Sequence, residues 1–176
     1  MGLDGLDRSM LSEIPGSVAR AVNPKRVLVI GYGNPGRRDD GLGPALCDRL
    51  ERLNPPGVSV QTAFQLAIEH AALAARYDTV VFADAATDIE GGAPFYLRRV
   101  EPAPERTHFA HGILPETVLH LAQQCFGARP AGWVLGIRPE DIETFGEGLS
   151  PQAGANLELA LTALMEAIRS GRLANE

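Results

Sequence analysis

The chain has 176 residues, 45% of them hydrophobic, enough for one buried core and too few for two ordinary domains. Its formal net charge of -6 and pI near 5.2, with no run of Lys or Arg, offer no basic face for a phosphate backbone, so nucleic acid is not an expected partner. Two cysteines, Cys47 and Cys125, lack the paired spacing of a zinc ribbon or disulfide framework, and no stretch resembles a signal peptide or a membrane span; the cytoplasm is the expected compartment, with no membrane partner.

Residues 1–25 mix small and charged side chains up to Asn23-Pro24 and predict a weakly ordered extension. Arg26-Val27-Leu28-Val29-Ile30, stopped by Gly31, reads as a strand buried on both faces, the signature of a central parallel strand. Leu42, Leu46, Leu50 and Leu53 then recur at helical spacing and end at Asn54-Pro55-Pro56-Gly57. A short alternating strand is expected over 58–62, an alanine-rich helix over 66–76 and a second buried strand over 79–84. Phe95 to Val100 predicts a strand, Leu114 to Cys125 a helix, Trp133 to Ile137 a strand, and Pro151 to Ile168 a closing helix with Ser150 as N-cap and Pro151 in the first turn. Strand and helix in repeated alternation specify a parallel sheet covered by helices, with sites at the carboxyl ends of the strands.

Gly31-Tyr32-Gly33-Asn34-Pro35-Gly36 follows the first strand and literally matches the dinucleotide fingerprint G-x-G-x-x-G. The match fails on charge: the loop runs into Asp39-Asp40, where two carboxylates would repel phosphate, and the second strand ends in Gln61-Thr62 without the ribose-binding acid. No organic cofactor is therefore expected. The glycines instead allow a sharp turn that presents Asp40 at the entrance to the next helix, where the helix dipole keeps a carboxylate ionised. Asp84 is delivered to the carboxyl end of its strand by Val80-Val81-Phe82-Ala83, and His111 precedes an amphipathic helix. Taken singly, Asp39 or Asp40 could simply cap a helix, Asp84 could be a turn residue and His111 a surface histidine. Converging at one sheet edge, Asp40, Asp84 and His111 would form a borderline-hard site for nickel, zinc or a similar divalent ion.

These residues resemble the hydrogenase maturation endopeptidases, enzymes that remove a carboxy-terminal extension from the large subunit of nickel-iron hydrogenases after nickel insertion. Val27-Leu28-Val29-Ile30-Gly31-Tyr32-Gly33-Asn34 followed by Asp39-Asp40-Gly41-Leu42-Gly43 is similar to the family's amino-terminal motif, with its acidic ligand at Asp40. Phe82-Ala83-Asp84-Ala85 resembles the second ligand segment and His111 the histidine ligand, while Ile137-Arg138-Pro139-Glu140 and Gly148-Leu149-Ser150-Pro151 resemble later landmarks in the right order. The similarity runs from about Arg26 to Arg169. Two segments depart from the pattern: Phe64-Gln65-Leu66-Ala67-Ile68-Glu69 stands where many members carry a Thr-x-Gly turn, and Phe109-Ala110 replaces the usual residues before the histidine.

The resemblance implies a hydrolase whose Asp40, Asp84 and His111 bind the nickel already carried by the hydrogenase precursor, serving in both metal recognition and catalysis. No H-E-x-x-H helix or Gly-x-Ser-x-Gly elbow points to other peptidase chemistry, and helical Cys47 and Cys125 read as small hydrophobes rather than nucleophiles. Asp39 is a candidate helper but reads better as a solvent-exposed cap; Arg37 and Arg38 could steer an acidic precursor tail, and Glu140 could line the cleft. His70, His108 and His120 read as surface or structural. The competing function is a non-catalytic metal-binding or nickel-delivery module using the same trio. The expected architecture is a single α/β domain over 26–170, phosphorylase/hydrolase-like, with a mostly parallel twisted sheet of about five strands, helices on both faces, and a tail over 171–176.

Overall fold

A computed structural model describes residues 26–104 and 112–174. Five strands form one sheet: β1 (Val27–Tyr32), β2 (Val58–Ala63), β3 (Thr79–Ala85), β4 (Phe95–Val100) and β5 (Ala131–Ile137). Their order is β2-β1-β3-β5-β4, parallel throughout except for β4, which runs antiparallel to β5 along the edge. Helices α1 (Leu42–Leu53), α2 (Glu69–Ala74), α3 (Pro115–Phe126) and α4 (Pro151–Arg169) cover it, and a 3-10 turn (Arg38–Gly41) leads into α1.

Strict side-chain alternation divides each central strand between two cores. Val27 and Val29 of β1, Val81 and Ala83 of β3, and Leu135 and Ile137 of β5 pack under α1 and α4. Leu28 and Ile30, Val80 and Phe82, and Val134 face α2 and α3. Strands buried on both sides need apolar residues at every position, which is why they read as continuous β-branched runs. Each such side chain contributes roughly 1.5–3 kcal/mol by leaving water.

The helix stripes locate α1 and α4. Leu42, Leu46 and Leu50 are buried, and α1 stops at Asn54, which adopts a left-handed conformation (φ 42) before Pro55-Pro56. Leu53, expected to continue the stripe, is the last residue of α1 and is 56% exposed. In α4 the Ser150 hydroxyl accepts a hydrogen bond from the Ala153 amide, and Pro151 occupies the first turn. Helix α2 is shorter than the sequence suggests, because the Ala67 amide donates to His70 Nδ1 (2.9 Å) and holds the preceding residues in a turn. The chain after α4 folds back, with Leu173 buried and its carbonyl accepting from Trp133 Nε1 (3.0 Å) and Thr79 Oγ1 (3.3 Å).

Candidate active site

From β1 the chain crosses through α1 to β2 on one side, then returns through α2 to β3 on the other. The two crossovers diverge at β1, opening a crevice above the carboxyl ends of β1 and β3, where open α/β sheets place ligands. Asp40 enters it from the loop after β1, and Asp84 from the end of β3.

Close backbone packing positions the loop. A Cβ on Gly31 would collide with the Gly43 carbonyl, and one on Gly43 with the Tyr32 and Ala83 carbonyls, so these glycines let the start of α1 rest directly on the strand ends. Gly33 adopts φ 134, and a side chain there would strike the Asp40 carbonyl; the same point lies 3.7 Å from Asp84 Oδ1. The Asn34 amide donates to Asp40 Oδ2 (3.0 Å), so a loop N–H that a phosphate would require is already used by a carboxylate. Here the fingerprint glycines serve to present an acid.

Asp40 and Asp84 are both partly buried and repel one another. Burial is the main influence on Asp84, pushing its carboxyl up to about 7; the Asp40 charge adds to that push, while hydrogen bonds from the Ala85 amide (2.7 Å) and the Tyr32 hydroxyl oppose it. Two carboxylates held together in a half-buried crevice suit a divalent cation, which would relieve both burial and repulsion. His111 lies outside the described residues, as does His108. Among the described residues no group of three His, Cys, Asp or Glu side chains could hold a metal ion. The residue after His111, Gly112, is followed by Ile113, whose amide donates to the Leu66 carbonyl (3.3 Å).

Asp39 is not the solvent-exposed cap expected from the sequence: its exposure is 0%. Oδ2 accepts from the Glu140 and Asp141 amides (both 2.8 Å) and the Ser150 hydroxyl (2.8 Å), and Oδ1 accepts from the Ser150 amide (2.6 Å). Burial alone would favour the neutral acid, but these bonds outweigh it and hold the carboxyl below its ordinary range. Asp39 thereby ties the loop carrying Asp40 to the segment between β5 and α4. The Arg38 amide donates to Gly146 O, and the Gly146 amide to Gly36 O (each 2.9 Å), reinforcing that junction. The two later landmark segments of the sequence are thus the walls that Asp39 fastens.

The other candidates separate cleanly. Arg37 lies over the Phe145 ring (5.2 Å) and 4.0 Å from Glu143, whereas Arg38 is exposed. Glu140 is exposed. Cys47 is buried against β1 and β2, and burial pushes its thiol up to about 11, which keeps it un-ionised and non-nucleophilic. Cys125 is exposed on α3. Sequence reasoning missed Tyr32, whose hydroxyl bonds Asp84; only the adjacency of β1 and β3 reveals that contact.

Among solved structures, the hydrogenase maturating endopeptidase HybD from E. coli is 27% identical, with a TM-score of 0.65 over 83% of this chain and 93% of that one. In sequence and fold the chain is similar to the hydrogenase maturation endopeptidases. It is accordingly a hydrolase. Two archaeal structures share the fold of these endopeptidases. A NiFe hydrogenase maturation protease HycI from Thermococcus kodakarensis KOD1 is 22% identical, with a TM-score of 0.64 over 84% of this chain and 95% of that one. A NiFe hydrogenase maturation protease HybD from Thermococcus kodakarensis is 19% identical, with a TM-score of 0.63 over 81% and 99%. No family profile and no curated protein matches the sequence. Among the described residues, no helix is long and apolar enough to cross a membrane.

Proposed function

We propose that this endopeptidase removes the carboxy-terminal extension of a nickel-iron hydrogenase large-subunit precursor after nickel insertion, in the cytoplasm, and that Asp40, Asp84 and His111 recognise the bound nickel. The observation that carries the reading is the meeting of Asp40, presented by a close-packed glycine loop, with Asp84 at the carboxyl end of β3, at the switch point of the sheet. Oxygen donors with an imidazole suit nickel, and the paired negative charge gives an empty precursor no equivalent attraction. The substrate's metal is thus the signal that assembly is complete. Held between these ligands beside the scissile bond, it would supply Lewis acidity, either to the peptide carbonyl or to a water.

The direct test is incubation of the purified chain with nickel-loaded and nickel-free precursor, followed by the mass of the large subunit. Loss of the extension from the loaded form alone supports the reading. Equal cleavage of both forms removes the metal check, and cleavage of neither removes the peptidase assignment of this substrate.

A further inference from the structure

The strand registers align a transverse row at the carboxyl edge of the sheet. Gly31 pairs with Ala83, which sets Tyr32 beside Asp84; Asp84 pairs with Gly136, and Gly136 with Tyr96. Alternation puts all four on the α2 and α3 face, where Tyr32 and Tyr96 pack against the buried core. The Tyr96 ring occupies the space that a Gly136 side chain would fill. At the other end of the row, Tyr32 stands beside Asp84 on the adjacent strand, with its hydroxyl turned toward that carboxylate.

We infer that Tyr32 is a positioning residue for the metal-recognition site: its hydroxyl holds the Asp84 carboxylate in place at the crevice that Asp40 enters. This rests on the reading of Asp40 and Asp84 as nickel ligands. A carboxylate at a strand end can rotate about its own bonds, and repulsion from Asp40 favours turning it away. Tyr32 opposes that rotation from a ring held in the core, one residue past the last buried position of β1. The Ala85 amide takes Oδ1 of the same carboxylate (2.7 Å), so Asp84 is gripped by its own strand and by the adjacent one. Hydrogen bonds behind a ligand set its orientation and basicity, and their removal typically weakens metal affinity by about 10–100-fold.

The test titrates Ni2+ alone into the full chain by calorimetry, comparing wild type with Tyr32→Phe, Tyr96→Phe, Asp40→Asn and Asp84→Asn. Tyr32→Phe should bind at least about 10-fold more weakly. Tyr96→Phe removes a hydroxyl from the same row without touching the carboxylate, and should stay within about 2-fold of wild type, well short of that range. A Co2+-saturated sample supplies a readout that packing alone would not move: the visible absorption of Tyr32→Phe should differ from wild type, and that of Tyr96→Phe should not. Equal Ni2+ affinity and equal Co2+ spectra for Tyr32→Phe and wild type, with Asp40→Asn and Asp84→Asn both weakened, would overturn the inference and leave the nickel reading standing. Equal binding by wild type and both Asn variants would remove the nickel reading, and the inference with it.

Discussion

Replacing Asp39 by Asn tests whether the junction behind the site is held by charge. The carboxylate accepts four hydrogen bonds at 2.6–2.8 Å with no exposure to water. An amide has a single acceptor oxygen, so wherever its NH2 lies, a donor meets a donor. The least costly placement sets the NH2 against the Ser150 amide and keeps three bonds to a neutral oxygen. That forfeits one charge-assisted bond, about 1.5–3 kcal/mol, and strands a buried N–H at about 1–3 kcal/mol, giving a loss of roughly 2.5–6 kcal/mol. For a domain of ordinary stability, about 5–15 kcal/mol, that is a large fraction. Urea unfolding of both proteins should show a lower midpoint at unchanged slope. Ser150→Ala should cost about 1–2 kcal/mol by removing the α4 cap, and the double variant should lose less than the sum, because the Ser150 hydroxyl donates to the Asp39 carboxylate and that bond is already weakened once the charge is gone. A loss below about 0.5 kcal/mol for Asp39→Asn, the range of ordinary surface substitutions, would refute the role given to this residue.

Asp40→Asn and Asp84→Asn should each reduce precursor processing by at least about 100-fold while shifting the unfolding midpoint little, because both side chains line the crevice at the strand ends rather than the apolar core; quantitative mass spectrometry of the precursor and urea unfolding check the two halves. Gly33→Ala should abolish processing and destabilise the fold by more than about 1 kcal/mol, since the added carbon meets the Asp40 carbonyl at φ 134; the same two assays apply. Leu46→Ala, at 0% exposure under the sheet, should cost about 2–5 kcal/mol in urea unfolding without altering nickel selectivity. Phe64 is 68% exposed and walls an open groove of about 380 Å3 with Gly33, Pro35 and Ala63, in the place of the family's Thr-x-Gly turn. Phe64→Ala should raise KM for the precursor several-fold at unchanged kcat, as loss of uniform binding does, in steady-state cleavage assays.

The elements were legible because their residues obey periodicities that tertiary context does not override. Val27 to Ile30 and Val80 to Ala83 are apolar at every position, so only a strand between two helical layers accommodates them. Leu42, Leu46 and Leu50 mark a single face of α1, and Ser150-Pro151 marks the start of α4. Strand order was not legible in the same way, because periodicity states which faces are buried and not which strands are neighbours. Tyr32 was missed for that reason. Tyr32 reads as the variable residue of a glycine loop until β1 is placed beside β3, and then becomes the hydroxyl next to Asp84.

Asp39 shows the complementary limit. In sequence it is one of two adjacent acids before a helix, and the local reading of such a residue is a solvated cap. Its partners are 101 to 111 residues away, at Glu140, Asp141 and Ser150, in two segments recognisable by resemblance but with no visible link to it. Adjacent residues in a 3-10 turn point in different directions, so one acid can turn inward as an anchor while the next faces the crevice. The Asp39-Asp40 pair is therefore a division of labour: the first carboxylate is satisfied by four donors from the protein, and the second, which accepts from the Asn34 amide, retains capacity for a cation. Exchanging their chemistry should separate the roles, since Asp39→Asn acts first on the unfolding midpoint and Asp40→Asn first on nickel-dependent cleavage.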